Sequence, residues 1–250
     1  GRAVVRDVIE GPEAQRMMAL VATIFAVAPA VAPVIGGWLH HWFGWRSVFV
    51  FMTVFSTSVA WWCWESLPET LSLEKRQPFR PSYLIRAYTD VWTNVPFLCV
   101  SLSLALAFGG FFVYVLSAPV FLMRHLHVSE TGFLWLFGPT TAGMVVGATL
   151  SGRLAGRVGS LRTAVFGFGV MAVAAGCNLA LNFFVPPGLP WSVLPLALYN
   201  LGLSLAIPSL TILGLDLFPE KRGMAASCQS FIQSGNNAVV SMLAALVWGS

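Results

Sequence analysis

The stretch APAVAPVIGG, residues 28–37, combines two prolines and a glycine pair with apolar side chains. It lies inside an apolar run from about Met17 to Trp38, and about 20 such residues suffice for a helix to cross a bilayer. Proline bends a helix, and small residues spaced four apart let another helix approach closely. The stretch therefore predicts a helix of a multi-helix membrane protein, with five positions that favour bending or close packing: Ala28, Ala32, Pro33, Gly36 and Gly37.

The whole chain has the composition of a membrane protein. Of its 250 residues, 57% are hydrophobic and 10% are charged, against roughly a quarter charged in soluble domains. Backbone groups in lipid must be paired within each spanning segment, so each span is expected to be a helix. A further amphipathic helix on the membrane surface is expected near residues 84–92. The predicted fold class is all-α and polytopic, with seven spans at about 17–39, 47–65, 95–122, 132–152, 163–184, 191–215 and 223–248.

Basic residues set the expected orientation. The loops on one side of the membrane hold twelve of the fourteen Lys and Arg residues, and the other side holds Arg46 and Arg124. The positive-inside rule places the first side, and with it the amino end, in the cytoplasm. The net charge of +4 is thus explained by the membrane topology and gives no reason to expect nucleic acid as a partner. The same orientation opposes a seven-helix receptor, and no lysine lies in a span to anchor a retinal.

Metal sites, disulfides and catalytic motifs are not indicated. The cysteines Cys63, Cys99, Cys177 and Cys228 have no CxxC spacing, and the four histidines fall in predicted outer loops. We find no paired carboxylates, HExxH motif or nucleophile elbow. The sequence therefore predicts no enzyme, no metal and no cofactor.

An ordered series of short motifs resembles a known family. The series is GRAVVRD (1–7), RMM (16–18), APVIGG (32–37), GWRSVF (44–49), ESLPET (65–70) and KRQPF (75–79). It resembles the Bcr/CflA drug-resistance transporters of the major facilitator superfamily over nearly the whole chain. The resemblance implies the superfamily fold, truncated at both ends. The seven spans would be helices five to eleven, with the end of helix four before them.

The resemblance also implies a domain organisation and a function. Residues 1–65 would end the N-terminal half, 66–94 would form a cytoplasmic linker, and 95–250 would form most of the C-terminal half. The implied function is export of small amphipathic drugs, of chloramphenicol or bicyclomycin type, in exchange for protons by alternating access. A monomer in the bacterial inner membrane, powered by the proton gradient, is implied with it. An importer or metabolite facilitator of the superfamily is the alternative.

The stretch around Pro33 resembles the proline-glycine signature on the fifth helix of proton-coupled exporters. Ala32 stands where the family has glycine. The resemblance implies that this helix lies between the two halves and helps to bias the opening of the cavity, and a packing ridge without a gating role is the alternative.

A rim of charged residues is expected at the cytoplasmic side. The run from Gly152 to Arg162 resembles the superfamily's basic signature, and the loops around Asp7 and Asp216 echo one another, as parallel repeats would. We expect Asp216 or Glu220 to pair with Arg157 of this run, although the arginines could serve topology alone. The predicted rim comprises Arg6, Asp7, Gly152, Arg153, Arg157, Gly159, Asp216 and Glu220.

The resemblance places the family's helices seven and ten around a central cavity. Aromatic rings suit bulky apolar drugs, and uncharged amides and hydroxyls within lipid need a partner or a wet cavity. The alternatives are that the aromatic side chains face lipid and that the polar side chains hydrogen-bond one helix to another. No carboxylate lies near the centre of any of the seven spans, and the resemblance implies a proton-carrying acid on the family's first helix. The candidate cavity residues are Phe108, Phe112, Tyr114, Tyr199, Asn200, Ser204, Gln229, Gln233 and Asn237.

Overall fold

A computed structural model describes residues 4–5, 8–9, 11–67, 80–120, 133–184, 188 and 191–248. The main elements of these described residues, in chain order, are the helices α1 (Gly11–Phe43), α2 (Trp45–Ser66), α3 (Pro81–Trp92), α4 (Val95–Val120), α5 (Phe133–Leu154), α6 (Ser160–Phe184), α7 (Leu194–Asp216) and α8 (Arg222–Trp248).

Each predicted span is a helix of the structure, which confirms the prediction of an all-α fold. The largest difference is at α1, which begins at Gly11 rather than near Met17. Pro12 suits the first helical turn, and Glu13 complements the positive end of the helix dipole. By length and composition alone, four helices of the described part could cross a membrane, namely α2, α4, α6 and α7.

Helix α7 is the centre of the bundle. It contacts α1, α4, α5, α6 and α8, and fourteen of its 23 residues are buried. Small residues allow these contacts to be close. A Cβ on Gly143 or Gly147 of α5 would meet the backbone of Ala197 or Leu201 in α7. The two glycines are four apart, so they lie on one face of α5 and form a close-packing ridge.

Tight turns make neighbouring helices antiparallel. Gly44, with φ 77°, is the single residue between α1 and α2, and Gly156, with φ 81°, lies in the turn between α5 and α6. Glycine adopts this left-handed conformation without a steric penalty. The starts of α1, α6 and α8 therefore lie at the same end of the bundle as the ends of α5 and α7, and we call this the basic end. Its basic residues are Arg16, Arg153, Arg157, Arg162, Lys221 and Arg222.

Helix α3 packs beside the basic end. Ala87 and Val91 are buried on one of its faces, and Ile85 on another face is 69% exposed. Lys221 Nζ lies 2.9 Å from Asp90 Oδ2, and the rings of Trp92 and Phe231 meet edge to face. The prediction of a helix in this segment is therefore confirmed, with its buried face resting on α4 and α8. Its place on the membrane surface stays a prediction.

Candidate functional site

A cavity of about 310 Å³ lies between α1 and the helices α4, α5, α7 and α8. Its lining is mainly apolar: α1 contributes Met18 and Phe25, α4 contributes Phe108, and α5 contributes Met144. Its volume falls at the lower end of the roughly 300–1,000 Å³ that is typical of small-molecule sites. A concave apolar space at the junction of five helices is the best candidate for a binding site in the described residues.

The polar groups of this cavity lie on α7 and α8. Ser204 and Thr211 of α7 and Gln233 of α8 line it, together with Pro208. Ser204 is 1% exposed, and its Oγ has no hydrogen-bond partner. A few polar groups in an apolar wall are what fixes the orientation of a bound small molecule.

The nine candidate cavity residues occupy three kinds of place. Phe108, Ser204 and Gln233 line the cavity described above. Three others line a second cavity of about 190 Å³ between α4, α6 and α7, namely Tyr114, Tyr199 and Asn200. The remaining three line neither of these two cavities, namely Phe112, Gln229 and Asn237.

Gln229 and Asn237 lie outside the two cavities. Gln229 is 1% exposed, and its amide fills the space that a side chain on Gly214 of α7 would need. The amide atoms of Gln229 and Asn237 Oδ1 are buried and have no hydrogen-bond partner in the described part of the chain. The predicted role of these two residues in the cavity stays a prediction.

The glycine pair of α4 accommodates side chains from two other helices. Asn236 Nδ2 donates to the carbonyl of Ala105 at 2.9 Å, and Tyr199 Oη donates to the carbonyl of Ala107 at 2.8 Å. A Cβ on Gly109 would meet the first of these side chains, and a Cβ on Gly110 would meet the second. These bonds join α8 and α7 to α4. They are interhelical hydrogen bonds, which is the alternative role given above for polar groups in the spans.

At the basic end, α1 meets α5 and α7 through small side chains. Ala19 Cβ lies 3.4 Å from the position of a Cβ on Gly152, and Pro12 Cβ lies 2.9 Å from that on Gly156. Within this contact Gln15 Nε2 donates to Ser209 Oγ at 3.1 Å, and both residues are buried. This hydrogen bond joins residues 194 positions apart and links the predicted N-terminal and C-terminal halves.

Gln15 is a residue that sequence reasoning missed. It precedes the predicted span, which begins at about residue 17. Ala14, Met18 and Ala22 are four apart and mark a helical face that extends past this boundary. The amide of Gln15, beside that face, was the signal in the sequence for a buried polar residue.

The predicted rim residues are placed at the basic end as far as they are described. Gly152, Arg153, Arg157 and Gly159 lie at the end of α5 and in the turn that follows, and the two acidic residues lie at the end of α7 and beyond it, namely Asp216 and Glu220. Arg6 and Asp7 lie outside the described residues. The pairing of Asp216 or Glu220 with Arg157 stays a prediction.

The described small residues of the proline-glycine stretch lie in a largely exposed part of α1. α1 continues as a helix through Pro33 to Phe43. Ala28 and Ala32 are exposed, and a Cβ on Gly36 or Gly37 would meet nothing within 4 Å. Their predicted gating or packing role stays a prediction.

Metal-binding groups do not come together in the residues described. No group of three or more His, Cys, Asp or Glu side chains is close enough there to hold a metal ion. The four cysteines are free, and Cys228 is the buried one.

Comparison with known proteins gives the family. A sequence model described as Major Facilitator Superfamily matches residues 1–244. A multidrug transporter MdfA of Yersinia pestis is 26% identical over 232 residues, which cover 93% of this chain and 56% of that protein. A chloramphenicol resistance protein of Pseudomonas aeruginosa is 26% identical over 223 residues, covering 86% and 51%. A bicyclomycin resistance protein homolog of Haemophilus influenzae is 25% identical over 158 residues, covering 63% and 40%.

The chain spans about half the length of these relatives. The similarity runs along nearly all of the chain, including both sides of the basic-end contact. The apolar helices and the family match together identify a multi-pass membrane protein. The chain belongs to the Major Facilitator Superfamily, whose model covers almost all of its residues.

Proposed function

We propose that the chain forms part of a drug-efflux transporter that exchanges small amphipathic drugs for protons by alternating access. The names of the relatives support drugs as the substrate class, since they are a multidrug transporter and resistance proteins for chloramphenicol and bicyclomycin. The apolar cavity between α1 and the α4–α8 bundle supports a binding site between two halves. Covalent chemistry is not required for this function, and the energy source would be the proton gradient.

The observation that carries the proposal is the position of the contact between the halves. Among the described side chains of α1, the buried ones lie in its first three turns, namely Ala14, Gln15, Met18 and Ala19. Among the described side chains, the tight contact between the halves thus lies at the basic end. A transporter that rocks about a central site is expected to close one end while the other is open.

The basic residues support an orientation. If the basic end is cytoplasmic, as the positive-inside rule requires, this contact would belong to a state that is closed toward the cytoplasm. In the opposite state the Gln15–Ser209 bond must break. A neutral hydrogen bond of this kind contributes about 0.5–1.5 kcal/mol, which is enough to bias the equilibrium without locking it.

Proton coupling requires a titratable group that senses the cavity. The described carboxylates lie near helix ends, in α3 or in turns: Glu13, Glu65, Asp90, Asp216 and Glu220. We therefore place the proton carrier outside the described residues, in agreement with the first-helix acid that the resemblance implies.

A disulfide across the basic-end contact tests the proposal. The Cβ atoms at positions 19 and 152 would be 3.4 Å apart, close to the mean of about 3.8 Å in disulfides. The full-length protein with Ala19→Cys and Gly152→Cys is placed in inside-out vesicles with an imposed proton gradient. Chloramphenicol accumulation is expected to fall at least tenfold on oxidation and to return on reduction.

Each single cysteine variant is the matched control, since it carries the same substitution and cannot form this bridge. Undiminished accumulation by the cross-linked protein would refute a mechanism that opens the basic end. Proton-driven movement of drug out of these vesicles would support the importer alternative instead.

A further inference from the structure

The second cavity, of about 190 Å³ between α4, α6 and α7, shares no lining residue with the larger, central cavity beside α1. Pro195 and Asn200 place it along the first two turns of α7, at the end remote from the basic end. Ala174 of α6 lies 14 residues after Ser160, which is about 21 Å along the helix. This second cavity is therefore separate from both the central cavity and the basic-end contact.

The wall of the second cavity is apolar and partly aromatic. The rings of Phe111 and Tyr114 line it with their centroids 6.5 Å apart, and Tyr199 contributes a third ring. An apolar cavity of about 150 Å³ is enough to hold a benzene molecule, so this one has room for a six-membered ring with a small substituent. An aromatic guest would meet the three rings in the tilted arrangements that aromatic pairs prefer.

One acceptor in this wall has no donor. Asn200 is 1% exposed, and its Nδ2 donates to the carbonyl of Leu196 at 3.0 Å. Its Oδ1 has no hydrogen-bond partner in the described part of the chain. The neighbouring Tyr199 hydroxyl donates to the carbonyl of Ala107 instead. A buried acceptor without a donor costs free energy, and hydrocarbon supplies no water to pair it, so a fitting guest brings one O–H or N–H.

The second cavity is accessible beside α6. Ala175 lines it and is exposed, and Asn178, three residues further on, is half-buried. None of the residues that line it is acidic or basic. A charged guest would lose its hydration there without gaining an ionic partner, so a neutral guest is favoured.

We propose that the second cavity binds a small neutral aromatic molecule of the phenol type, with one six-membered ring and one O–H or N–H donor. The ring lies among Phe111, Tyr114 and Tyr199, and the donor binds Asn200 Oδ1. The guest reaches the site from the lipid, past Ala175. This site is distinct from the proposed drug-binding cavity, and its occupation does not depend on transport.

The test uses two probes of nearly equal size on the purified full-length protein in detergent. 4-Fluorophenol carries a hydroxyl where 4-fluorotoluene carries a methyl group. Fluorine NMR titrations give Kd for each probe, with protein-free micelles as the baseline for partitioning. The variants are Asn200→Leu, which removes the acceptor, and Ala175→Phe, which fills the entrance. Asn200→Ala also removes the acceptor and replaces the leucine variant if that variant does not fold.

We expect the wild type to bind 4-fluorophenol about two- to tenfold more tightly than 4-fluorotoluene, the contribution of one hydrogen bond. Either substitution of Asn200 is expected to abolish this preference. Ala175→Phe is expected to raise Kd for both probes about tenfold or more, because its ring takes the place of the guest. Ala172→Phe is the matched control, since Ala172 is also exposed on α6 but does not line the cavity; both Kd values should stay within about twofold.

Four outcomes would overturn the inference. The wild type could bind neither probe beyond the micelle baseline, as expected of a space that is covered or filled with water in the whole protein. The preference for 4-fluorophenol could survive the loss of the Asn200 amide. Ala175→Phe could leave both Kd values unchanged, or Ala172→Phe could raise them as much. None of these outcomes bears on drug export, which the vesicle experiment measures separately.

Discussion

Replacing Gly147 by alanine tests how closely α5 and α7 pack. A Cβ at this position would lie 2.9 Å from the carbonyl carbon of Leu201 and 3.0 Å from its Cα. These are backbone atoms of the most buried helix, so they cannot rotate away as the end of a side chain would. The two helices must move apart for the methyl group to fit.

The size of the effect follows from these distances. Carbon atoms in ordinary contact are about 3.5–4.0 Å apart, so the required separation is about 0.6–1 Å. Overpacking of this kind costs about 1–3 kcal/mol. Alanine also favours a helix over glycine by about 1 kcal/mol, which offsets part of the cost.

A matched control separates the effect of helix propensity from the cost of overpacking. Gly176 lies inside helix α6, and a Cβ there would meet nothing within 4 Å. Gly176→Ala therefore changes helix propensity without overpacking. The difference between the two variants is expected to equal the overpacking cost, which corresponds to a Tm difference of about 2–12 °C for a chain of this size.

The assay is a thermal melt of the full-length protein in detergent, followed by size-exclusion chromatography. Gly147→Ala is expected to melt below the wild type or close to it, and Gly176→Ala at or above it. Equal Tm values for the two variants would show that α5 and α7 are not in backbone contact at Gly147, and the close-packing argument would be wrong.

Two further predictions concern the charges of the basic end. Asp216→Arg is expected to reduce drug export in a cell-survival assay, and adding Arg157→Asp is expected to restore part of it. If the double variant does not restore export, the predicted pairing of these two residues is wrong. Lys221→Ala breaks the contact with Asp90, whose side chain is 47% exposed, so the loss is expected to stay below about 1 kcal/mol. The Tm difference from wild type should vanish in about 1 M salt, where the Debye length is about 3 Å, and persistence there would point to lost packing on Tyr83.

The spans were predictable because apolar length alone identifies them. The start of α1 was not predictable, since Gln15 is polar and precedes the predicted span. In the structure its amide is paired with Ser209, so that a polar residue can be buried there. Such a partner lies far away in the sequence and leaves no local signal.

The chemical type of the candidate cavity residues was predictable from the sequence, but their position in the bundle was not. Ser204, Gln233 and Gln229 are all polar residues in predicted apolar helices. The first two line the central cavity, whereas the amide of Gln229 packs against Gly214. A rotation of about 100° per residue decides which neighbour a helical side chain meets, and that rotation is set by the packing of the whole bundle.

The sequence by itself determined that this chain is a set of apolar helices joined by short or charged loops, because a backbone in lipid has to pair its own polar groups. Only the tertiary structure decided which faces are contacts. Gly143 and Gly147 touch α7, whereas Gly36 and Gly37 meet no described neighbour, although glycine is the small residue in both stretches. Lipid tails are as apolar as leucine side chains, so hydrophobicity cannot distinguish a face toward lipid from a face toward another helix.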